Sequence, residues 1–143
     1  MKTKDLGLLA EQLVIVDCIK RGYTVAQVCG DNAPYDLLVD KGNGNILKLQ
    51  VKCRTPKNDR LSIEGYTMTY DPLKGSNNRS KQNFYNKQNI DYFVAVHSDT
   101  FELYYIPIET FDDVKIINLC LSIPDVDISA FKGIKLASDY VNF

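Results

Sequence analysis

Apolar positions near the start of the chain recur at helical spacing. Leu6, Leu9, Leu13 and Val16 repeat at three- and four-residue intervals between Lys4 and Arg21, and Gly22 stands where a helix would stop. Glu11 interrupts this pattern. At about 100° per residue it lies between Gly7, Val14 and Cys18 on one side and Leu8 and Ile15 on the other, so its carboxylate projects from an apolar stripe. An unpaired buried carboxylate is costly. Such a group protonates, pairs with a cation or coordinates a metal, and the ion pair is the commoner arrangement.

Beyond Gly22 the period shortens to two. Strands are predicted over Tyr23–Cys29, Tyr35–Asp40 and Ile46–Arg54. The third is a clean alternation: Leu47, Leu49, Val51 and Cys53 face one way, while Lys48, Gln50, Lys52 and Arg54 face the other. Lys41-Gly-Asn-Gly-Asn45 between the second and third strands is a turn signal. Its length decides which side chains meet. Symmetry about Asn43 brings Asp36 opposite Gln50, whereas a two-residue Asn43-Gly44 loop would place Asp36 opposite Val51 on the wrong face. A shared face therefore requires a three- or five-residue turn or a bulge, with Gly44 available for a left-handed conformation. Further along, Leu61–Tyr70 alternates around Gly65, residues 74–88 form a long polar excursion, and Asp91–His97 and Thr100–Ile108 read as adjacent strands with Ser98-Asp99 at the turn. The tail from Glu109 is weakly periodic, consistent with a small helix and a packing surface.

With 143 residues the chain is long enough for one domain that buries roughly 70% of its unfolded surface. Its expected division is a core at about 5–54 and 91–108, a DNA-binding excursion at about 55–90, and a packing or oligomerisation tail at about 109–143. Cys18, Cys29, Cys53 and Cys120 show no CxxC spacing, and three of them lie in apolar runs, so reduced core thiols are expected. No stretch approaches the apolar length of a membrane span, which points to a soluble, cytoplasmic protein without a membrane partner. The lone His97, at a strand end, reads as structural. The sequence has no glycine-rich phosphate loop, no GxSxG elbow and no internal repeat.

Charge is unevenly spread. The net charge is −1, yet residues 52–90 carry eight basic groups against three acids, and the remainder nine against fifteen. A segment of charge +5 is thus set into a body of charge −6, and an anionic partner would meet the segment. Candidate DNA contacts there are Arg54, Lys57, Arg60, Lys74, Arg79, Lys81 and Lys87 for phosphates. Thr67, Thr69, Asn77, Asn78, Gln82 and Asn83 are candidates for base edges or backbone. In this reading the strands around Gly65 enter the major groove and the polar excursion grips the backbone.

Gly7-x-x-Ala10-Glu11 on the first helix, Pro34-Tyr35-Asp36 entering a strand and Gln50-Val51-Lys52 on its hairpin partner resemble the motif of the PD-(D/E)XK nuclease superfamily over roughly residues 5–108. The small size, the Gln in place of the second acid and the basic excursion look most like the group I intron-encoded homing endonucleases of this class known from cyanobacteria. Two departures stand out: Tyr35 separates Pro34 from Asp36, and Gln50 replaces the usual carboxylate. The resemblance implies an α/β fold, a restriction endonuclease-like mixed central β-sheet flanked by helices. It also implies a sequence-specific endonuclease that hydrolyses double-stranded DNA and promotes intron mobility. Glu11, Asp36, Gln50 and Lys52 would be catalytic, and Mg²⁺, with Mn²⁺ as a substitute, the cofactor.

The residue types suit that chemistry. An anionic phosphodiester resists attack, so the site must neutralise charge and supply a hydroxide near neutral pH. Mg²⁺ prefers oxygen ligands, here Asp36, the Gln50 amide oxygen, the Val51 main-chain carbonyl and a phosphate oxygen, with Glu11 adding an outer or second-metal contact. Lys52 would orient the nucleophile or stabilise developing charge. Cutting both strands with one centre per chain calls for a homo-oligomer, at least a dimer, with a tetramer also compatible. A nuclease specific for branched DNA of the junction-resolvase type, and a non-catalytic DNA-binding module with a decayed metal site, are the alternatives.

Overall fold

The computed structural model describes residues 1–69, 73 and 81–143. Helix α1 spans Thr3–Lys20 and ends as its sequence dictates. Gly22 adopts φ +84°, its N–H reaches the Ile19 carbonyl (2.9 Å) and the Tyr23 N–H reaches that of Cys18 (3.0 Å), so the last turn is closed by a left-handed glycine. Ala10, Val14 and Cys18 form its buried edge.

Five strands make the central sheet: β1 (Thr24–Gln27), β2 (Leu37–Asp40), β3 (Ile46–Arg54), β7 (Tyr92–His97) and β8 (Leu103–Pro107), in the order β1-β2-β3-β7-β8. Within this sheet only the β3–β7 pairing is parallel. The sheet is therefore mixed, as expected. A single α-helix flanks it among the described residues: α1 packs on one face, where Leu37, Val39, Leu49, Val94, Val96 and Tyr105 join the helix residues in one core cluster.

The other face is covered by strands. Strands β4 (Arg60–Glu64), β9 (Ile116–Cys120) and β10 (Ile134–Leu136) form a second sheet, in the order β10-β9-β4. Leu61, Ile63, Ile117 and Leu119 from this sheet meet Phe93, Ala95, Tyr104 and Ile106 in a second core cluster. This corrects two expectations. Residues 60–64 are core rather than excursion, because Leu61 and Ile63 are fully buried against β9. The tail forms strands and short 3-10 turns at Ile108–Phe111 and Ala137–Tyr140 instead of a small α-helix. Within the tail β9 pairs with β10, and on its other side with β4, a pairing more than fifty residues distant in sequence.

Among the described residues, strands β5 (Tyr66–Thr69) and β6 (Lys81–Phe84) pair only with each other, as a two-stranded antiparallel ribbon. The ribbon follows directly from β4 through Gly65. Of the four free cysteines, Cys18 and Cys120 are buried and Cys53 half-buried, but Cys29 is exposed, contrary to a core role for all. His97 is structural, since its Nδ1 accepts the N–H groups of Asp99 (3.1 Å) and Thr100 (3.2 Å) and fixes the β7–β8 turn. No helix among the described residues is long and apolar enough to cross a membrane.

Candidate active site

The β2–β3 turn resolves the question of register. Leu37 pairs with Leu49 and Asp40 with Ile46, and the Lys41 N–H bonds the Asn45 carbonyl at 2.9 Å, leaving Gly42, Asn43 and Gly44 as the loop. All three have positive φ (93°, 54° and 77°), which glycine and asparagine adopt at least cost. The hairpin is thus symmetric about Asn43 and brings Asp36 beside Gln50.

Strand β2 ends early and β3 does not. Past Leu37 the Asp36 N–H still reaches the Leu49 carbonyl (2.9 Å), but beyond that point the side of β3 that faced β2 has no strand partner. Val51 turns its N–H and carbonyl to this opening. The carboxylate of Asp36 takes the place of the missing strand: its Oδ2 accepts the Val51 N–H at 2.7 Å and Gln50 Nε2, also at 2.7 Å. Oδ1 has no hydrogen-bond partner among the described residues. Gln50 Nε2 also lies 3.5 Å from the Val51 carbonyl. Three oxygen-bearing groups therefore converge at one strand end.

Electrostatics reflect this crowding. Burial pushes the Asp36 carboxyl up to about 6; the Val51 N–H opposes the shift, the negative charge of Glu11 adds to it, and Gln50 and Lys52 oppose it. Burial likewise pulls the Lys52 ammonium down to about 8, with the Arg54 charge acting in the same direction and Glu64 and Asp36 against. A carboxylate held short of positive charge is poised to bind a cation.

Glu11, half-buried on α1, makes its hydrogen bond with Gln27 Nε2 (3.0 Å), and no ion pair reaches it among the described residues. The ion-pair reading of this stripe-breaking carboxylate is thus not met; solvent and one amide compensate it.

Lys52 shares a face with Gln50 and extends toward the start of the ribbon. Its Nζ donates to the carbonyls of Glu64 (2.5 Å) and Tyr66 (3.3 Å), and lies 4.7 Å and 5.5 Å from the ring centroids of Phe93 and Tyr85. Arg54 is engaged by Glu64 (2.7 Å), and although burial opposes it, that hydrogen bond holds the Glu64 carboxyl below its ordinary value. Lys87 bridges Glu109 (2.7 Å) and Asp91 (3.4 Å).

The remaining expected contacts separate into groups. Thr67 faces Asn83 and Thr69 faces Lys81 across the ribbon, where Asn83 Nδ2 donates to Thr69 Oγ1 at 2.7 Å; Gln82 pairs with Met68 on the alternate face. Lys57 and Arg60 are exposed and flank a tight turn at the start of β4. Lys74, Asn77, Asn78 and Arg79 lie outside the described residues. Sequence reasoning missed Tyr85 and the Glu64 and Tyr66 carbonyls as neighbours of Lys52. Tyr85 lies within the basic segment at residues 52–90, whereas main-chain carbonyls carry no residue-type signal.

A family model described as PD-(D/E)XK endonuclease matches residues 1–143. The chain belongs to that family. A solved structure similar to this PD-(D/E)XK endonuclease is that of a bacterial homing endonuclease, I-Ssp6803I, with a TM-score of 0.73 and 24% sequence identity over 92% of this chain and 86% of the other. At that identity the likeness is one of fold. No curated protein matches.

The donors present suit a hard cation. No group of three or more His, Cys, Asp and Glu gathers among the described residues, so carboxylates alone do not make a cage. Asp36 Oδ1, the Val51 carbonyl and the Gln50 amide instead offer an oxygen set of the kind a hard divalent cation takes when waters and substrate complete its shell. With Nε2 facing Asp36, the amide partly neutralises the carboxylate; a half-turn of the amide presents its oxygen at the same place.

Proposed function

We propose that this nuclease is a Mg²⁺-dependent, sequence-specific endonuclease for double-stranded DNA, acting in the mobility of a group I intron. The observation that carries the reading is the convergence of Asp36, Gln50, Val51 and Lys52 at the open end of β3. The likeness in fold to a bacterial homing endonuclease favours the biological role. When bound, Mg²⁺ supplies charge neutralisation at the phosphate and a water acidic enough to ionise near neutral pH.

The side chains do the rest. Asp36, the Val51 carbonyl and Gln50 would hold the ion, and Glu11 would add negative charge on the helix side. Lys52 sits on the same face of β3 as Gln50, where its ammonium orients the attacking oxygen and offsets charge building on the phosphate. The ribbon β5–β6 has the width of an element that enters the major groove, and presents Thr67, Thr69, Lys81 and Asn83 together. Cleaving both strands takes two such centres, hence a symmetric homo-oligomer, at least a dimer; exposed Ile123, Val126 and Phe131 in the tail supply apolar surface for it.

The test compares linear duplexes bearing candidate sites with four-way junctions, in Mg²⁺ and in Ca²⁺. Linear duplex should be cut at one site in Mg²⁺ only, and Asp36→Ala and Lys52→Ala should bind it without cutting. Preference for junctions would move the assignment to a resolvase. Binding without cleavage in any divalent metal would make the chain a DNA-binding module, and a monomer by light scattering on the full duplex would remove the oligomer.

A further inference from the structure

Lys52 lies in a closed circuit of contacts that includes the root of the ribbon. Its ammonium bonds the carbonyls of Glu64 and Tyr66, the residues on either side of Gly65. The Gly65 carbonyl accepts the Tyr85 N–H at 3.0 Å, so the exit of β6 is fastened to the same joint. The Tyr85 ring meets Phe93 edge-on at 5.2 Å, Phe93 meets Phe111 at 5.1 Å, and the ammonium lies against the first two of these rings. Gly65 closes the circuit, because a Cβ built there would stand 2.7 Å from Phe111, and its own N–H is held by the Lys115 carbonyl at 2.8 Å.

The ribbon has few other attachments. Among the described residues its strands pair with each other alone, and their outer residues Thr67, Met68, Thr69, Lys81 and Phe84 are exposed. Among the described residues, and apart from Phe84, whose ring lies 5.6 Å from Lys115 Nζ, forces applied to the ribbon by a ligand reach the domain through residues 64–66 and 85, where Lys52 is bound. An ammonium held by main-chain carbonyls follows the backbone that carries them, since the donor is on a flexible stem and the acceptors are part of the chain.

We propose that Tyr85 and the Glu64–Gly65–Tyr66 joint are positioning elements for Lys52, through which seating of the β5–β6 ribbon on DNA sets the lysine at the scissile phosphate. Site reading and bond cleavage are thereby linked by one short circuit. The inference rests on the nuclease reading for what Lys52 does, but not for the circuit itself.

Tyr85→Leu and Tyr85→Phe in the full chain test it. Phenylalanine keeps the ring against Lys52 and Phe93; leucine removes it. In single-turnover cleavage with saturating protein, Tyr85→Leu should be slower by about 10- to 100-fold, the scale of a misplaced catalytic group. Its duplex Kd should stay within about threefold, and Tyr85→Phe should cut within about threefold of wild type. Wild-type rates for Tyr85→Leu, equal losses in both variants, or a loss matched by weaker binding would overturn the proposal. A second measurement needs no cleavage: in Lys52→Met, hydrogen exchange at residues 66–69 and 81–84 should speed up while β7 stays protected. Unchanged exchange there would overturn the circuit. Loosened exchange in a chain whose wild type cuts no DNA would overturn only the nuclease reading.

Discussion

Asp36→Asn should make the metal-free protein more stable while removing its activity. Asparagine keeps an oxygen for the Val51 N–H and for Gln50 Nε2, so the hydrogen bonds survive and only the charge is lost. The carboxyl titrates near 6 in the fold against an ordinary 3.8, and each unit corresponds to about 1.4 kcal/mol, giving a ceiling of about 3 kcal/mol. Partial solvent access brings the expected gain to about 1–2 kcal/mol. The sign follows from proton binding. Below about pH 4 both folded and unfolded chains carry the proton and the charge costs nothing. Between 4 and 6 the folded chain keeps the proton that the unfolded chain releases, so wild-type stability falls as pH rises, and above 6 the full cost is present. Urea unfolding at pH 4 to 8 with a chelator measures this: the two proteins should converge at low pH and separate to a constant gap above 6. Mg²⁺ should then narrow the gap by stabilising wild type alone. A variant no more stable than wild type at pH 7.5, or a gain independent of pH, would refute the account of a site held short of positive charge.

Cleavage should follow a bell-shaped pH profile. Asp36 must be ionised to hold a cation and Lys52 must be charged to serve the phosphate, so the limbs should fall near 6 and 8. Raising Mg²⁺ should push the acid limb lower without moving the alkaline one, as single-turnover rates will show. On the ribbon, Lys81→Ala should weaken duplex binding and reduce the log-log salt slope by roughly 0.9, the share of one phosphate, with metal affinity unchanged; a salt slope identical to wild type in filter binding would take Lys81 off the phosphate backbone.

The centre was legible because it depends on parity. Alternation placed Gln50 and Lys52 on one face of β3, and the symmetry of the Gly-Asn-Gly turn brought Asp36 to them, both properties of local sequence. Strand β3 was delimited to the residue for the same reason. What escaped was non-local. Nothing near Leu61 announces that it pairs with Leu119, so residues 60–64 read as excursion and the tail as a helix. Likewise the hold on Lys52 comes from main-chain oxygens, and these leave no mark in composition.

Loops on a surface generally accept insertions, since length there costs little entropy. The Lys41–Asn45 turn is exposed at its tip and carries none of the candidate site residues, yet it sets the count of residues between Asp36 and Gln50. Adding or deleting one residue that the loop did not absorb would shift the partnership by one, sending the aspartate to the helix side of the sheet and turning Leu37 and Val39 away from it. With thirteen residues between Asp36 and Gln50, an odd loop length keeps the acid and the amide in phase and an even one puts them out of phase. The spacing of the Gly-Asn-Gly loop is therefore as much a part of the proposed site as the side chains it separates.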